Sequence, residues 1–271
     1  MTTSDYTCHR VRTPLTVDGN LTESAWLKAP KSPRFVDMVT GDSAFFDTRA
    51  AALWDDDNLY IGFWVEEPFV EAKLTERDSI IFMENDVEVF IDGGDCYYEF
   101  EINALNTIYE VFYIWRDAYQ RGGKFDVPEF DLISKGLSFG GNYDRSGWNF
   151  WKGIHPRGVR WAFTEWDFPG VQSAVQIDGV INNRSVVDKG WTVELAFPWS
   201  GMKWFAKDRS FPPKEGDIWN IFFGRFEKLE VANARPEPQP AWSWNKIGTP
   251  DTHTPEKFTK GQFYNQYVED I

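Results

Sequence analysis

Apolar and polar positions alternate along several stretches of this chain, which is the pattern of half-buried β-strands. Residues 59–65, 86–92, 97–103 and 191–197 show this alternation. A short glycine-containing turn between the second and third of these stretches predicts a hairpin. In the second stretch, Val87, Val89 and Ile91 fall on one face, whereas Glu88 and Phe90 fall on the other.

Other stretches depart from this alternation. Residues 218–227 are apolar on both faces, which predicts a central strand covered on both sides. Residues 22–29 predict two helical turns, with Thr22 as the N-cap and Pro30 as the stop, and residues 200–207 predict another short helix. The stretches 118–169 and 234–240 predict long loops, the first holding Trp148, Trp151, Trp161 and Trp166.

Many short strands separated by Gly and Pro indicate an all-β fold. We expect an antiparallel two-sheet β-sandwich of the immunoglobulin-like or jelly-roll type, with long loops and one or two short helices. No composition shift marks a boundary, so residues 1–271 are expected to form a single domain.

Composition narrows the range of partners. The 271 residues include 14 Trp and carry a formal net charge of −14. This charge disfavours nucleic acid and anionic membranes, whereas abundant indole rings suit a neutral, hydroxylated ligand with apolar ring faces, which is a carbohydrate. No stretch approaches the roughly 18 apolar residues of a membrane span. The expected location is extracellular or periplasmic if a signal peptide has been removed, and otherwise cytoplasmic.

The two cysteines, Cys8 and Cys96, leave two alternatives open. They can pair only if the first segment lies near the turn at Cys96, and free buried thiols are the other possibility.

Catalytic motifs are scarce. The sequence has no glycine-rich phosphate loop, no His-Glu-x-x-His pattern and no Gly-x-Ser-x-Gly elbow. The hairpin instead predicts a cluster of carboxylates and one amide on a single face, formed by Glu88, Glu99, Glu101 and Asn103. Such a cluster can accept hydrogen bonds from sugar hydroxyls, act as a glycosidase pair through Glu88 and Glu101, or simply be a solvated face.

Two further features have both a functional and a structural interpretation. Trp244 follows a proline-rich loop, where its ring can stack on a ligand or pack into the core. Asp55, Asp56 and Asp57 precede a strand, where they can form an ordinary turn or contribute to a structural calcium site.

Ordered sequence blocks resemble family 9 carbohydrate-binding modules. These blocks lie at residues 17–26, 48–50, 53–61, 85–92, 190–199, 216–220 and 255–258, and together they extend over nearly the whole chain. The resemblance implies a β-sandwich, structural calcium, and non-catalytic binding of plant cell-wall glucans or xylans between two Trp rings.

The residue correspondence is partial, which identifies the chain as a diverged, free-standing relative. Glu88 matches a sugar-contacting Glu of the family, and Phe82 stands where the first stacking Trp is expected. Glu101 replaces a sugar-contacting Arg, Phe222 replaces a Gln, and the second stacking Trp is missing near His253. Trp244, Arg225 and His253 are the residues expected to rebuild a site, and Asn103 is expected to orient hydroxyls.

Three functional hypotheses follow. The first is a non-catalytic carbohydrate-binding domain linked to carbohydrate catabolism. The second is a glycoside hydrolase, or another glycan-processing enzyme, that uses Glu88 and Glu101. The third is a structural or protein-binding sandwich, which a site without exposed aromatic rings would favour.

Overall fold

The computed structural model describes residues 5–140, 155–229 and 239–271, and this part of the chain is mostly β-structure. The predicted loop tryptophans Trp148 and Trp151, and nearly all of the proline-rich stretch 234–240, lie outside these ranges. The described strands are β1 Tyr6–Arg10, β2 Val36–Asp37, β3 Thr48–Trp54, β4 Asn58–Glu66, β5 Asp86–Asp92, β6 Cys96–Asn103, β7 Ile108–Trp115, β8 Leu137–Phe139, β9 Arg160–Phe163, β10 Gln172–Asp178, β11 Gly190–Pro198, β12 Ile218–Phe226, β13 Ala241–Ser243 and β14 Thr259–Tyr267.

The strands form one continuous hydrogen-bonded ladder. Its order is β10-β11-β4-β3-β1-β14-β12-β5-β6-β7-β9-β8, and β13 pairs with both β12 and β2 beside this path. Strand β1 pairs in parallel with both β3 and β14, whereas the other pairs are antiparallel. The predicted all-β class is confirmed. The prediction of two separate antiparallel sheets is not, because the parallel β1 joins the two halves of the ladder.

Strands from opposite halves of the ladder pack face to face. The ring centroids of Phe63 on β4 and Phe223 on β12 are 6.2 Å apart, and those of Phe100 on β6 and Phe197 on β11 are 5.3 Å apart. The inward faces of β5 and β4 add Val87, Val89, Ile91 and Ile61 to the same buried cluster. The predicted alternation of these strands therefore holds, because one face of each is buried in a shared apolar core.

Helical structure is limited to short segments in the described part of the chain. The α-helix α1 covers Ser24–Lys28, and 3-10 turns cover Ile81–Met83, Pro128–Phe130, Trp199–Phe205, Pro255–Lys257 and Val268–Asp270. The Thr22 N-cap prediction is wrong, since Glu23 occupies the cap position and makes no side-chain capping bond. Trp26 instead anchors the helix by donating a buried hydrogen bond of 2.7 Å from Nε1 to Glu194 on β11.

Two other predictions from the sequence have clear outcomes. Cys8 and Cys96 are free, buried thiols and do not form a disulfide. The stretch predicted as a loop at 118–169 contains β8 and β9, which extend the ladder beyond β7. No helix in the described ranges combines the length and the apolar character needed to cross a membrane.

The second face of the half-ladder β12-β5-β6-β7 carries the chemically interesting side chains. Its central residues form a separate buried aromatic cluster that includes Phe90, Tyr97, Tyr113 and Phe222. Toward one end of these strands, the same face presents carboxyl groups instead of rings. A cleft opens over that region.

Candidate functional site

The cleft has a volume of about 320 Å³ and lies over β5, β6 and β7. The 3-10 turn at 81–83, strands β8 and β9, the end of β12 and the loop at 250–253 complete it. Its lining combines apolar walls with a carboxyl floor, and comprises Phe82, Met83, Glu88, Glu99, Glu101, Tyr109, Tyr113, Leu137, Ser138, Phe139, Ala162, Thr164, Phe226, Pro250, Thr252 and His253.

Aromatic rings form the walls. Phe82 and Tyr109 make an edge-to-face pair with centroids 5.5 Å apart, and Phe226 contributes a further ring from the end of β12. All three side chains are only partly buried, so their rings retain surface that a ligand can cover. Ring faces of this kind pack well against the C–H faces of a sugar.

Carboxyl groups form the floor. Glu88 and Glu101 line the cleft and are directly opposite each other in the β5–β6 ladder. Asp86 lies two residues before Glu88 on the same face and is fully buried next to them, beneath the lining of the cleft. One oxygen from each of these three residues lies within 4.8 Å of the other two. The Oε2 atoms of Glu88 and Glu101 and the Oδ2 atom of Asp86 are buried and have no hydrogen-bond partner.

Burial controls the charge of this floor. It raises the pKa of Asp86, Glu88 and Glu101 well above the ordinary range, and repulsion between neighbouring carboxylates adds to the effect for Glu88 and Glu101. For Glu99, burial raises the pKa to about 7, while a 2.6 Å hydrogen bond from the Tyr113 hydroxyl opposes the shift. The floor therefore either holds protons, which makes its carboxyl groups hydrogen-bond donors, or holds a cation.

His253 lies beside the floor as a buried, neutral ring. Burial lowers its pKa well below the ordinary value, and the positive charge of Arg160 lowers it further. Its Nδ1 shares a 3.1 Å hydrogen bond with the Tyr97 hydroxyl, and its ring packs against Phe139 at 4.5 Å between centroids. These contacts fix the 250–254 loop against the sheet.

The structure brings Phe82, Glu88, Glu101 and His253 together in the cleft, but two other candidates on the same strands lie below or beside it. Asn103 is fully buried, where its Oδ1 accepts from the backbone of the β6–β7 turn. Phe222 is covered by Phe90 and Phe258, at 5.3 and 5.5 Å between centroids.

Arg225 and Trp244 lie on the core side of β12, away from the cleft. Arg225 is fully buried, and its guanidinium donates to Thr48 Oγ1, the Glu66 carbonyl and Glu227. Trp244 packs against Tyr6 and Phe223, with centroids 4.8 and 4.9 Å away. These contacts give both residues a structural role.

The predicted calcium residues form a hydrogen-bonded turn. Asp55 Oδ1 accepts from the backbone N–H groups of Asp57 and Asn58, and its Oδ2 accepts from the Tyr60 hydroxyl. Asp56 forms an ion pair with Arg10. Calcium at Asp55–Asp57 stays a prediction, and the contacts around Asp55 are those of the alternative, an Asx turn.

Sequence reasoning missed several cleft residues, most of them aromatic. Tyr109 and Tyr113 come from β7, Phe139 from β8 and Phe226 from the end of β12. The sequence did contain a usable signal for β7, because the aromatic and β-branched residues of 108–115 directly follow the predicted hairpin.

A second depression lies at the far end of the ladder. This groove has a volume of about 670 Å³ and is lined mostly by residues of β4, β10 and β11, among them Trp64 and the buried Trp191. The ammonium of Lys31 lies 3.7 Å from the centre of a Trp64 ring, so one face of that indole is already occupied. The groove is therefore the weaker candidate for ring stacking.

Comparisons with known proteins place these features in context. Residues 17–118 match the family described as carbohydrate family 9 binding domain-like. The matched segment contains Phe82, Glu88, Glu101 and Tyr109, which are the floor and one wall of the cleft. The sequence resemblance is thus confirmed over this segment. No curated protein matches the chain significantly.

One solved structure shows a similar architecture. A putative carbohydrate-binding protein from Bacteroides uniformis is 15% identical, with a TM-score of 0.58 over 95% of this chain and 97% of that chain. This likeness supports the fold. A family 9 carbohydrate-binding module from Caldicellulosiruptor kristjanssonii, solved with glucose and with cellotriose, is 12% identical. Its TM-scores are 0.47 and 0.48, over 95% and 97% of this chain and 95% and 96% of those chains.

Proposed function

From the match of residues 17–118 to carbohydrate family 9 binding domains, we propose that this protein binds carbohydrate in the cleft without cleaving it. The observation that carries the proposal is the combination of partly exposed aromatic walls with a carboxyl floor. Rings cover the apolar faces of a sugar, and carboxyl groups hydrogen-bond its hydroxyls. The ligand class proposed is a neutral plant cell-wall glucan or xylan, in keeping with a role in carbohydrate catabolism.

The architecture proposed for this function is one folded sandwich. The two halves of the ladder act as its two layers, and residues 1–271 act as a single domain. The cleft lies on the outer face of one layer, so a saccharide can dock without opening the apolar core.

Affinity electrophoresis on a polysaccharide panel, followed by calorimetry with oligosaccharides of any retained polymer, tests the proposal. We expect Phe82→Ala to weaken binding by about tenfold or more, because stacking one ring contributes about 1.4 kcal/mol or more. The matched control is Trp64→Ala in the groove, which should leave affinity unchanged. Normal migration on every glucan, xylan and mannan would overturn the proposal, and loss in Trp64→Ala alone would move the site to the groove.

The hydrolase hypothesis has one geometric feature in its favour. The nearest oxygens of Glu88 and Glu101 lie within 4.8 Å, near the separation of about 5 Å that retaining glycosidases use. Both residues, however, stand side by side on one floor and are 2% and 1% exposed. A glycosidic bond between them would have to enter a space already shared with Asp86. Release of reducing ends from a bound glycan, abolished by Glu88→Gln, would favour hydrolysis over simple binding.

A further inference from the structure

The three unpartnered oxygens in the floor of the cleft have no cationic side chain to compensate them. Asp86, Glu88 and Glu101 are 0%, 2% and 1% exposed. Among residues 5–140, 155–229 and 239–271, no Lys, Arg or His forms an ion pair with any of them. Buried carboxylates without compensation cost several kcal/mol each, so the cluster must either take up protons or bind a positive charge.

The geometry suits a single hard cation. Two oxygens bound to one calcium ion are at most about 5 Å apart, since each lies about 2.3–2.6 Å from the ion. One carboxylate oxygen from each of Asp86, Glu88 and Glu101 falls within 4.8 Å of the other two, which meets this limit. Asp86 is held in place by its other oxygen, Oδ1, which accepts a 3.3 Å hydrogen bond from the Phe226 N–H.

Gly224 contributes to the space around the cluster. It pairs with Glu88 across the β12–β5 ladder, and a Cβ at this position would lie 2.4 Å from the Phe222 ring and 3.4 Å from Glu88 Oε2. Glycine at this position therefore leaves room for the Phe222 ring next to Glu88.

A second acidic group shows what a structural cluster looks like in this chain. Asp18, Glu23 and Glu194 also bring three carboxylate oxygens within 4.8 Å of one another. There, however, Glu194 Oε2 accepts from the backbone N–H groups of Asp18 and Gly19, and Oε1 accepts from Trp26 Nε1. Glu23 Oε2 is buried without a hydrogen-bond partner, but it is the only such oxygen of this cluster, and Asp18 is exposed to solvent.

We propose that Asp86 Oδ2, Glu88 Oε2 and Glu101 Oε2 bind one divalent cation of the calcium type at the floor of the cleft. Three protein oxygens leave several coordination positions of calcium unfilled. Glu88 and Glu101 line the cleft, so these positions open toward it and can be taken by water or by neighbouring hydroxyls of a sugar. The metal site stands on its own geometry, whereas its contact with sugar rests on the proposed function.

Calcium binding tests the site directly. Protein freed of metal with a chelator is titrated with calcium by calorimetry, and with terbium by luminescence sensitised through the nearby tyrosines. We expect Glu101→Gln to weaken calcium binding by about tenfold or more, because it removes one of three charged ligands. Asp18→Asn is the matched control from the other acidic cluster, and Asp57→Asn tests the separate prediction at Asp55–Asp57. Both variants should retain calcium binding at the site that contains Glu101.

Separate measurements check whether the variant folds and where the ion binds. Thermal melts verify that Glu101→Gln folds, and Glu88→Gln replaces it if it does not. Anomalous scattering from wild-type crystals soaked in terbium should show a peak between the three oxygens. The proposal is overturned if wild-type protein binds no divalent cation at millimolar concentration, if Glu101→Gln binds calcium as the wild type does, or if the peak lies elsewhere.

Carbohydrate binding measured in calcium and in excess chelator separates the two proposals. Weaker binding in chelator supports contact between the ion and the sugar. Equal binding in both, with calcium bound, leaves the metal site in place and overturns that contact. Sugar binding by protein that takes up no calcium even in the calcium arm overturns the metal site alone, and absence of sugar binding from calcium-loaded protein overturns the proposed function alone.

Discussion

At the residue scale, the packing of His253 shows how the cleft is held together. Its ring is enclosed by Phe90, Tyr97, Tyr113 and Phe139, and its Nε2 lies 3.9 Å from Glu99 Oε1. The sequence suggested His253 as a replacement for a missing Trp. The structure instead makes it a buried support of the loop that borders the cleft.

This burial predicts a pH dependence of stability. The pKa of His253 in the folded protein lies well below the ordinary 6.5, so below that pH the unfolded chain binds a proton that the folded chain does not. Stability from this group is complete above about pH 6.5 and falls by up to about 1.4 kcal/mol for each pH unit below it. Relative to His253→Gln, the wild type should therefore lose about 2 kcal/mol between pH 6.5 and pH 5.

Urea unfolding of both proteins across this range measures the difference. The charged and titratable groups that face His253 are present in both proteins, so their effects largely cancel in the comparison; they are Tyr97, Glu99, Tyr113, Arg160 and Asp251. Parallel stability profiles for the two proteins would show that His253 is not held neutral by its surroundings.

At the element scale, Arg225 illustrates how far alternation along a strand can be trusted. Phe222 and Arg225 are three positions apart on β12, so their side chains belong to opposite faces. Placing both in one site was therefore inconsistent with the strand predicted for the same residues. The structure puts Phe222 in the cluster beside the cleft and Arg225 in the core between the two halves of the ladder.

We predict that Arg225→Met destabilises the protein by about 3–5 kcal/mol, because it leaves the buried carboxyl groups of Glu67 and Glu227 without their cation. Chemical denaturation measures the loss. The control is Lys189→Met, which removes an exposed pair with Asp178 and should cost less than about 1 kcal/mol. Folded Arg225→Met should bind carbohydrate normally, and weakened binding would restore Arg225 as a ligand residue.

Strands whose sequences alternate between apolar and polar residues were predictable, and two strands without this alternation were not. β5, β6 and β11 match their predicted bounds to within one residue, because their sequences alternate in this way. β7 is apolar at most positions on both faces, and β14 carries polar residues at a joint between the halves of the ladder. Neither shows a period of two, so pattern alone did not reveal them.

The same limit applied to the site. Phe82, Glu88 and Glu101 were found from a single hairpin and its family resemblance, since they are close in sequence. Trp244 was expected at an exposed loop, but its backbone N–H donates to the Phe223 carbonyl and holds it beside β12, where its ring packs in the core. The meeting of distant segments around the cleft, such as Phe226 and the 250–253 loop, depends on the ladder order, which local patterns do not determine.

At the scale of the whole molecule, both the net charge and the lining of the cleft disfavour anionic ligands. The chain carries a formal charge of −14, and the candidate site adds a floor made of carboxyl groups. A polysaccharide with regularly spaced carboxylates would be repelled at long range by the net charge, and the described lining of the cleft offers its carboxylates no Lys or Arg side chain. Neutral glycans experience neither effect.

We therefore predict a marked preference for neutral over anionic polysaccharides. Affinity for a neutral glucan or xylan should change by less than about twofold between about 0.01 M and 1 M salt, since no net charge is transferred into the cleft. Polygalacturonate should not bind at the lower salt concentration, where the Debye length of about 30 Å lets the whole negative surface act. Affinity electrophoresis at both salt concentrations measures the contrast. Tight, salt-sensitive binding of polygalacturonate would show instead that bound cations give the floor a net positive charge. The carbohydrate class proposed here would then be wrong.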